Sequence, residues 1–143
     1  MDWTLELIVV PVTDVDRAKR FYAEQCGFRA EIDAEFKGGR FVQLTPPGSR
    51  CSVVLESGMP ASPGQPAMAP GSLRGLQLCV TDIEAARAFL IGRGVEAGPV
   101  RHVGDSGWAE GRGEDVWNSF LFFSDPDGNG WVVQEAPTPL AER

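Results

Sequence analysis

A single histidine, His102, is the only side chain of this sequence whose unperturbed pKa lies near neutrality, so acid–base catalysis would fall to it first. A lone histidine on a glycine-rich stretch also suits a solvent-facing surface position. With one histidine, any three- or four-ligand metal site would have to be built mainly from carboxylates. The three cysteines, Cys26, Cys51 and Cys79, are odd in number and widely spaced, and no C-x-x-C pair offers zinc or dithiol chemistry; they read as reduced core residues. Trp108 and Trp117 lie on the same stretch as His102. Large flat side chains stack on planar ligands at small entropic cost, or they serve only to pin a loop.

These residues must be positioned by the elements around them, and the elements repeat. Val12-Thr13-Asp14-Val15-Asp16-Arg17-Ala18 and Val80-Thr81-Asp82-Ile83-Glu84-Ala85-Ala86 share one plan, with Phe21 and Phe89 at the same offset. Each copy follows an aliphatic, β-branched run, Leu5–Val12 and Leu76–Val80, that suits a buried strand. The Thr-Asp pair then stops the strand. Thr13 or Asp14, and Asp82 in the second copy, can cap a following helix, and Ala18, Phe21 and Tyr22 or Ile83, Ala86, Phe89 and Leu90 supply its apolar stripe. Gly27 ends the first helix and Gly92 or Gly94 the second.

Further strands are expected at Arg29–Ile32, Arg40–Leu44 and Cys51–Glu56, then at Val95–Val100, Phe120–Ser124 and Gly130–Gln134. Matching Pro-plus-Gly turns, Thr45–Gly48 and Ser124–Gly128, mark hairpins. The organisation predicted is one domain over 1–143: repeat one at 1–57, a linker at 58–72 carrying Pro60, Pro63, Pro66 and Pro70, repeat two at 73–136, and a short tail at 137–143. The stretch Arg101–Asn118 has no counterpart of equal length in the first repeat. With glycines at 104, 107, 111 and 113 it is expected to be a mobile flap over a pocket.

Composition sets the outer bounds. A chain of 143 residues that is 43% hydrophobic can bury a core without staples. The net charge of −7, with its 13 basic residues scattered, argues against nonspecific nucleic-acid binding. No apolar run is long enough to span a bilayer, and the N-terminus lacks the features of a signal peptide, so the cytoplasm is the expected compartment.

A strand ending in Val-Thr-Asp, a helix carrying Arg20-Phe21-Tyr22, the repetition of that unit and a closing Ser-Asp-Pro-Asp-Gly-Asn-Gly-Trp strand resemble the glyoxalase/bleomycin-resistance/dioxygenase (vicinal oxygen chelate) superfamily over nearly the whole chain. The resemblance implies an α+β fold. Two βαβββ repeats would form a curved, partly open β-barrel with helices outside, holding a small molecule in the cavity and often working as a homodimer. Metal-dependent members place a donor on the first and last strand of each repeat. The matching positions here are Leu7 and Gly75, then Ser52 and Val132, of which only Ser52 carries an oxygen. Glu6, Glu56 and Glu135 lie nearby but are expected out of register, pointing away from the cavity. No metal and no cofactor are therefore expected.

By the two-residue period of a strand, the cavity implied by the resemblance would be lined by Leu7 and Val9, with Leu5 beyond them, and by Gln77, Val132 and Gln134. The two amides could orient a ligand through both donor and acceptor, or bond each other or water. Trp108 and Trp117 would add stacking surface, and Trp131, on the opposite parity, would pack elsewhere. Three functions follow. One is metal-independent binding that sequesters an aromatic or polycyclic antibiotic or metabolite, the acidic surface favouring a cationic compound. A second is a metal-independent lyase, isomerase or epimerase with His102 or a pocket carboxylate as base. The last, disfavoured by the four positions, is a metal-dependent glyoxalase or dioxygenase.

Overall fold

The computed structural model describes residues 1–137. The remainder of the expected tail, 138–143, lies outside the described residues. Two compact units divide the chain: Met1–Leu73 together with Asp125–Asn129, and Arg74–Ser124 together with the segment from Gly130 onward.

In the first unit β1 (Leu7–Val9) leads to α1 (Val15–Arg20), which continues as a π-helical turn over Phe21–Gln25, and then to β2 (Arg29–Phe36), β3 (Gly39–Thr45) and β4 (Ser52–Ser57). The strands order as β1-β4-β3-β2, with β1 parallel to β4 and the other pairs antiparallel. Alternation along the strands puts Val53 and Leu55 on one face with their partners Leu44 and Val42, all buried. Against β4 packs α1, whose Val15 and Ala18 are buried, as are Phe21 and Tyr22 in the π turn. The larger of these side chains, such as Val15 and Phe21, contribute about 1.5–3 kcal/mol each by leaving water. Asp14 caps α1, accepting from the Arg17 N–H at 3.0 Å. Strand β1 is shorter than the expected Leu5–Val12. Pro11 ends the aliphatic run, and Leu5 is exposed rather than core. Strand β2 is longer than expected and exposed along its whole length, as befits an edge.

The turn Asp125–Asn129 is the polar centre of this unit. Asp125 is buried and its Oδ2 accepts from Tyr22 Oη at 2.6 Å and from Asn129 Nδ2 at 2.8 Å. Asn129, wholly buried, also donates to the Pro11 carbonyl and accepts from the Leu73 N–H. Asp127 accepts from both the N–H and the hydroxyl of Thr13. Gly71 closes against this turn so tightly that a Cβ would stand 2.1 Å from the Asp127 carbonyl oxygen, at φ +79°.

In the second unit β5 (Leu76–Val80) precedes α2 (Ile83–Gly92), followed by β6 (Arg101–Gly104), β7 (Gly107–Glu110), β8 (Phe120–Ser124) and β9 (Gly130–Glu135), in the sheet order β5-β9-β8-β6-β7. Asp82 caps α2 through the Ala85 N–H. On the face bearing α2, Leu76, Leu121, Phe123, Trp131 and Val133 are buried, and Trp131 stacks on Phe123 with centroids 6.1 Å apart. Both units are thus strand, helix and further strands, the α+β architecture expected.

Three expectations are corrected here. The strand expected at Val95–Val100 begins only at Arg101, because Ala97 turns back onto the Val95 carbonyl and Pro99 has no N–H for a ladder. The expected flap over Arg101–Asn118 is in its first part a hairpin, β6–β7, turning at Asp105-Ser106 with Gly107 at φ 111°. Cys79 is exposed rather than core; Cys26 and Cys51 are half-buried. Among the described residues no helix is long and apolar enough to cross a membrane.

Candidate binding site

The face of the second unit's sheet turned away from α2 gathers the chemistry. Ladder pairing defines two rows across it. Gln77, Val132 and Phe122 form one, and Cys79, Gln134, Phe120, Arg101 and Glu110 the other. Residues directly opposite in a ladder share a face, so all of these side chains emerge on the same side. The β6–β7 hairpin adds Trp108, paired with Val103, and its indole meets Phe120 and Phe122 edge-on at 5.3 and 5.1 Å between centroids. Three aromatic rings in perpendicular contact make a fixed apolar wall, and Trp108 still has half its surface in solvent.

Beside the wall runs a chain of amides. Gln134 Nε2 donates to the Trp117 carbonyl at 2.8 Å, and Gln77 Nε2 donates to Gln134 Oε1 at 2.9 Å. The two amides therefore bond each other, one of the alternatives left open by the sequence. Trp117 enters through its backbone, and the residue is 40% exposed.

Of the sequence-predicted residues, Gln77, Val132, Gln134 and Trp108 come together on this face, with Trp117 beside them. His102 does not join them. It alternates to the other side of the hairpin from Trp108, where its Nδ1 donates to the Gly111 carbonyl at 2.9 Å. Leu7 and Val9 belong to the first unit, where they pair with Ser52 and Val54 on the face opposite to Val53 and Leu55. Sequence reasoning missed Phe120, Phe122 and Arg101. Strand β8 was expected with its right bounds, and carrying the parity of Val132 across to it would have found both rings.

An ion pair sits at the start of α2. Glu135 accepts from the Ile83 N–H at 2.9 Å and pairs with Arg112. The Arg112 guanidinium, more than the Ile83 amide, holds the Glu135 carboxyl below its ordinary value of 4.5. Glu135 thus faces the α2 side, as expected of it. Glu56 does not behave as expected: it pairs with Phe41 and shares parity with Ser52 and Val54, so it lies on their face rather than away from it.

The residues at the four metal-ligand positions do not fit a divalent ion. Leu7, Gly75 and Val132 carry no donor. The Ser52 hydroxyl is buried and already bonded to Thr45 Oγ1 at 2.6 Å and Gln43 Nε2 at 3.1 Å. Among the described residues there is no group of three or more His, Cys, Asp or Glu side chains that could hold a metal.

The family model described as Glyoxalase/Bleomycin resistance protein/Dioxygenase superfamily matches residues 4–133. The chain belongs to this superfamily. Among solved structures, this superfamily member is similar to TnmS3, described as an antibiotic binding protein from Streptomyces sp. CB03234, at 35% identity and TM-score 0.72 over 94% of this chain and 97% of that one. A glyoxalase/bleomycin resistance protein from the same Streptomyces matches at 36% identity and TM-score 0.68, over 92% of this chain and 99% of its own. A further superfamily member from Sphaerobacter thermophilus matches at 28% identity and TM-score 0.69, over 94% and 98%. Comparison with curated proteins gave no match.

Proposed function

We propose that this superfamily member is a metal-independent binding protein that sequesters an aromatic antibiotic or metabolite, working as a homodimer in the cytoplasm. The observation that carries the reading is the open face of the second unit. Trp108, Phe120 and Phe122 supply flat apolar contact, and Gln77 and Gln134 supply fixed polar contact beside it. An aromatic ligand laid there removes apolar area from water at about 25 cal/mol per Å². The sole histidine, turned to the other side of its hairpin, offers no base to such a ligand. Similarity to an antibiotic binding protein supports the same reading.

The test is metal analysis of the purified protein, followed by titration of its tryptophan fluorescence with a panel of aromatic antibiotics. We expect less than stoichiometric metal, quenching that saturates, and recovery of the compound unchanged. Conversion of the compound would favour a metal-independent lyase, isomerase or epimerase. One tightly held divalent ion per chain would favour a glyoxalase or dioxygenase.

A further inference from the structure

Resting on the reading just given, we infer that the ligand is a flat, oxygenated aromatic carrying a hydroxyl or N–H at one end, recognised by Gln77, and an anionic oxygen at the other, recognised by Arg101.

The argument begins at the Trp117 carbonyl, which can only accept. It therefore fixes the orientation of the Gln134 amide, nitrogen toward Trp117 and oxygen toward Gln77. Facing an oxygen, Gln77 must present its own nitrogen. The polarity is thus passed along the chain, and it leaves Gln77 Oε1 as the terminal acceptor, unpartnered among the described residues on an exposed side chain. An acceptor held in place beside an aromatic wall selects a donor, because a ligand that buries it without supplying one loses the hydrogen bond the amide made with water.

Arg101 stands at the other end of the same face, in the row of Gln134 and Phe120. It is half-buried and its guanidinium makes no hydrogen bond or ion pair among the described residues, although Glu110 is directly opposite it on β7. A planar guanidinium beside a ring-lined surface suits an oxygen acceptor, and a carboxylate or phenolate best of all. Between the strands of Gln77 and Arg101 lie β9 and β8, so three strand spacings put about 14 Å between the two backbones. Gln77 already reaches toward β9 through its bond to Gln134, and the span left between it and the strand of Arg101 is that of a fused aromatic of two or three rings.

The experiment is calorimetric titration of the full chain with three probes: a hydroxynaphthoate bearing its two groups at opposite ends, its methyl ether and its methyl ester. Gln77→Leu is expected to weaken the hydroxynaphthoate about tenfold and not to weaken the ether. Arg101→Gln is expected to weaken it about tenfold and to leave the ester unchanged. Uniform losses across all three probes, or none, would overturn the inference while leaving sequestration of aromatics standing. No binding of any probe or of any aromatic antibiotic would overturn both.

Discussion

Tyr22 and Asp125 lie far apart in sequence, yet one buried hydrogen bond of 2.6 Å joins them. The tyrosine ring is wholly buried, stacked on Phe28 and edge-on to Phe21, so its hydroxyl has no route to water. Tyr22→Phe preserves that packing and strips Asp125 Oδ2 of one of its two donors. We expect a loss of about 1–3 kcal/mol, read as a lower urea midpoint at unchanged slope. Asp125 acts on Cys26 as well. Burial foremost, and the Asp125 charge second, push the Cys26 thiol up to about 12, so it stays protonated and unreactive. None of this was legible beforehand. Tyr22 was placed on an apolar stripe and Ser124–Gly128 in a turn, both from local spacing, and local spacing carries no information about a partner a hundred residues away.

At the scale of elements the sequence was more informative where a side chain acts on its own neighbours. The cap at Asp82, and Asp14 as one of two candidates for the first, follow from a short side chain accepting from an N–H three residues on, and the strands Leu76–Val80 and Phe120–Ser124 follow from β-branched and aromatic runs. The β6–β7 hairpin escaped notice because its glycines and charges read as loop, although two residues between Gly104 and Gly107 are the spacing of a tight turn. Gln77 and Gln134 could be placed on one face by parity, whereas Arg101 could not, since its strand was expected to end just before it. Beyond the hairpin, Arg112 ties the following segment to Glu135, which also holds the Ile83 N–H at the start of α2. The native Glu135 carboxyl titrates below its unfolded value of 4.5, so its contribution is fully present above that pH and disappears as pH falls through the lower native value. Melting temperatures measured at successive pH values below 4.5 should therefore fall less steeply for Glu135→Gln than for the parent chain. Equal slopes would show that the pair does not couple to stability.

For the whole molecule the repeat was the most legible feature, because it is written twice and each copy corrects the reading of the other. Assembly is a property of the same scale. A homodimer is expected, and light scattering should return twice the chain mass; a single chain mass at micromolar concentration would remove the dimer from the proposal. The placement of Asp125–Asn129 in the first unit bears on how such a molecule comes to exist. As the chain leaves the ribosome, Tyr22, the Pro11 carbonyl and the Leu73 amide emerge first, and their partners Asp125 and Asn129 follow 103, 118 and 56 residues later. An N-terminal fragment stopped at the linker would hold those groups in its interior unanswered. Residues 1–73 alone do not make the first unit, and cutting the chain where the repeat divides would take from that unit the turn Asp125–Asn129.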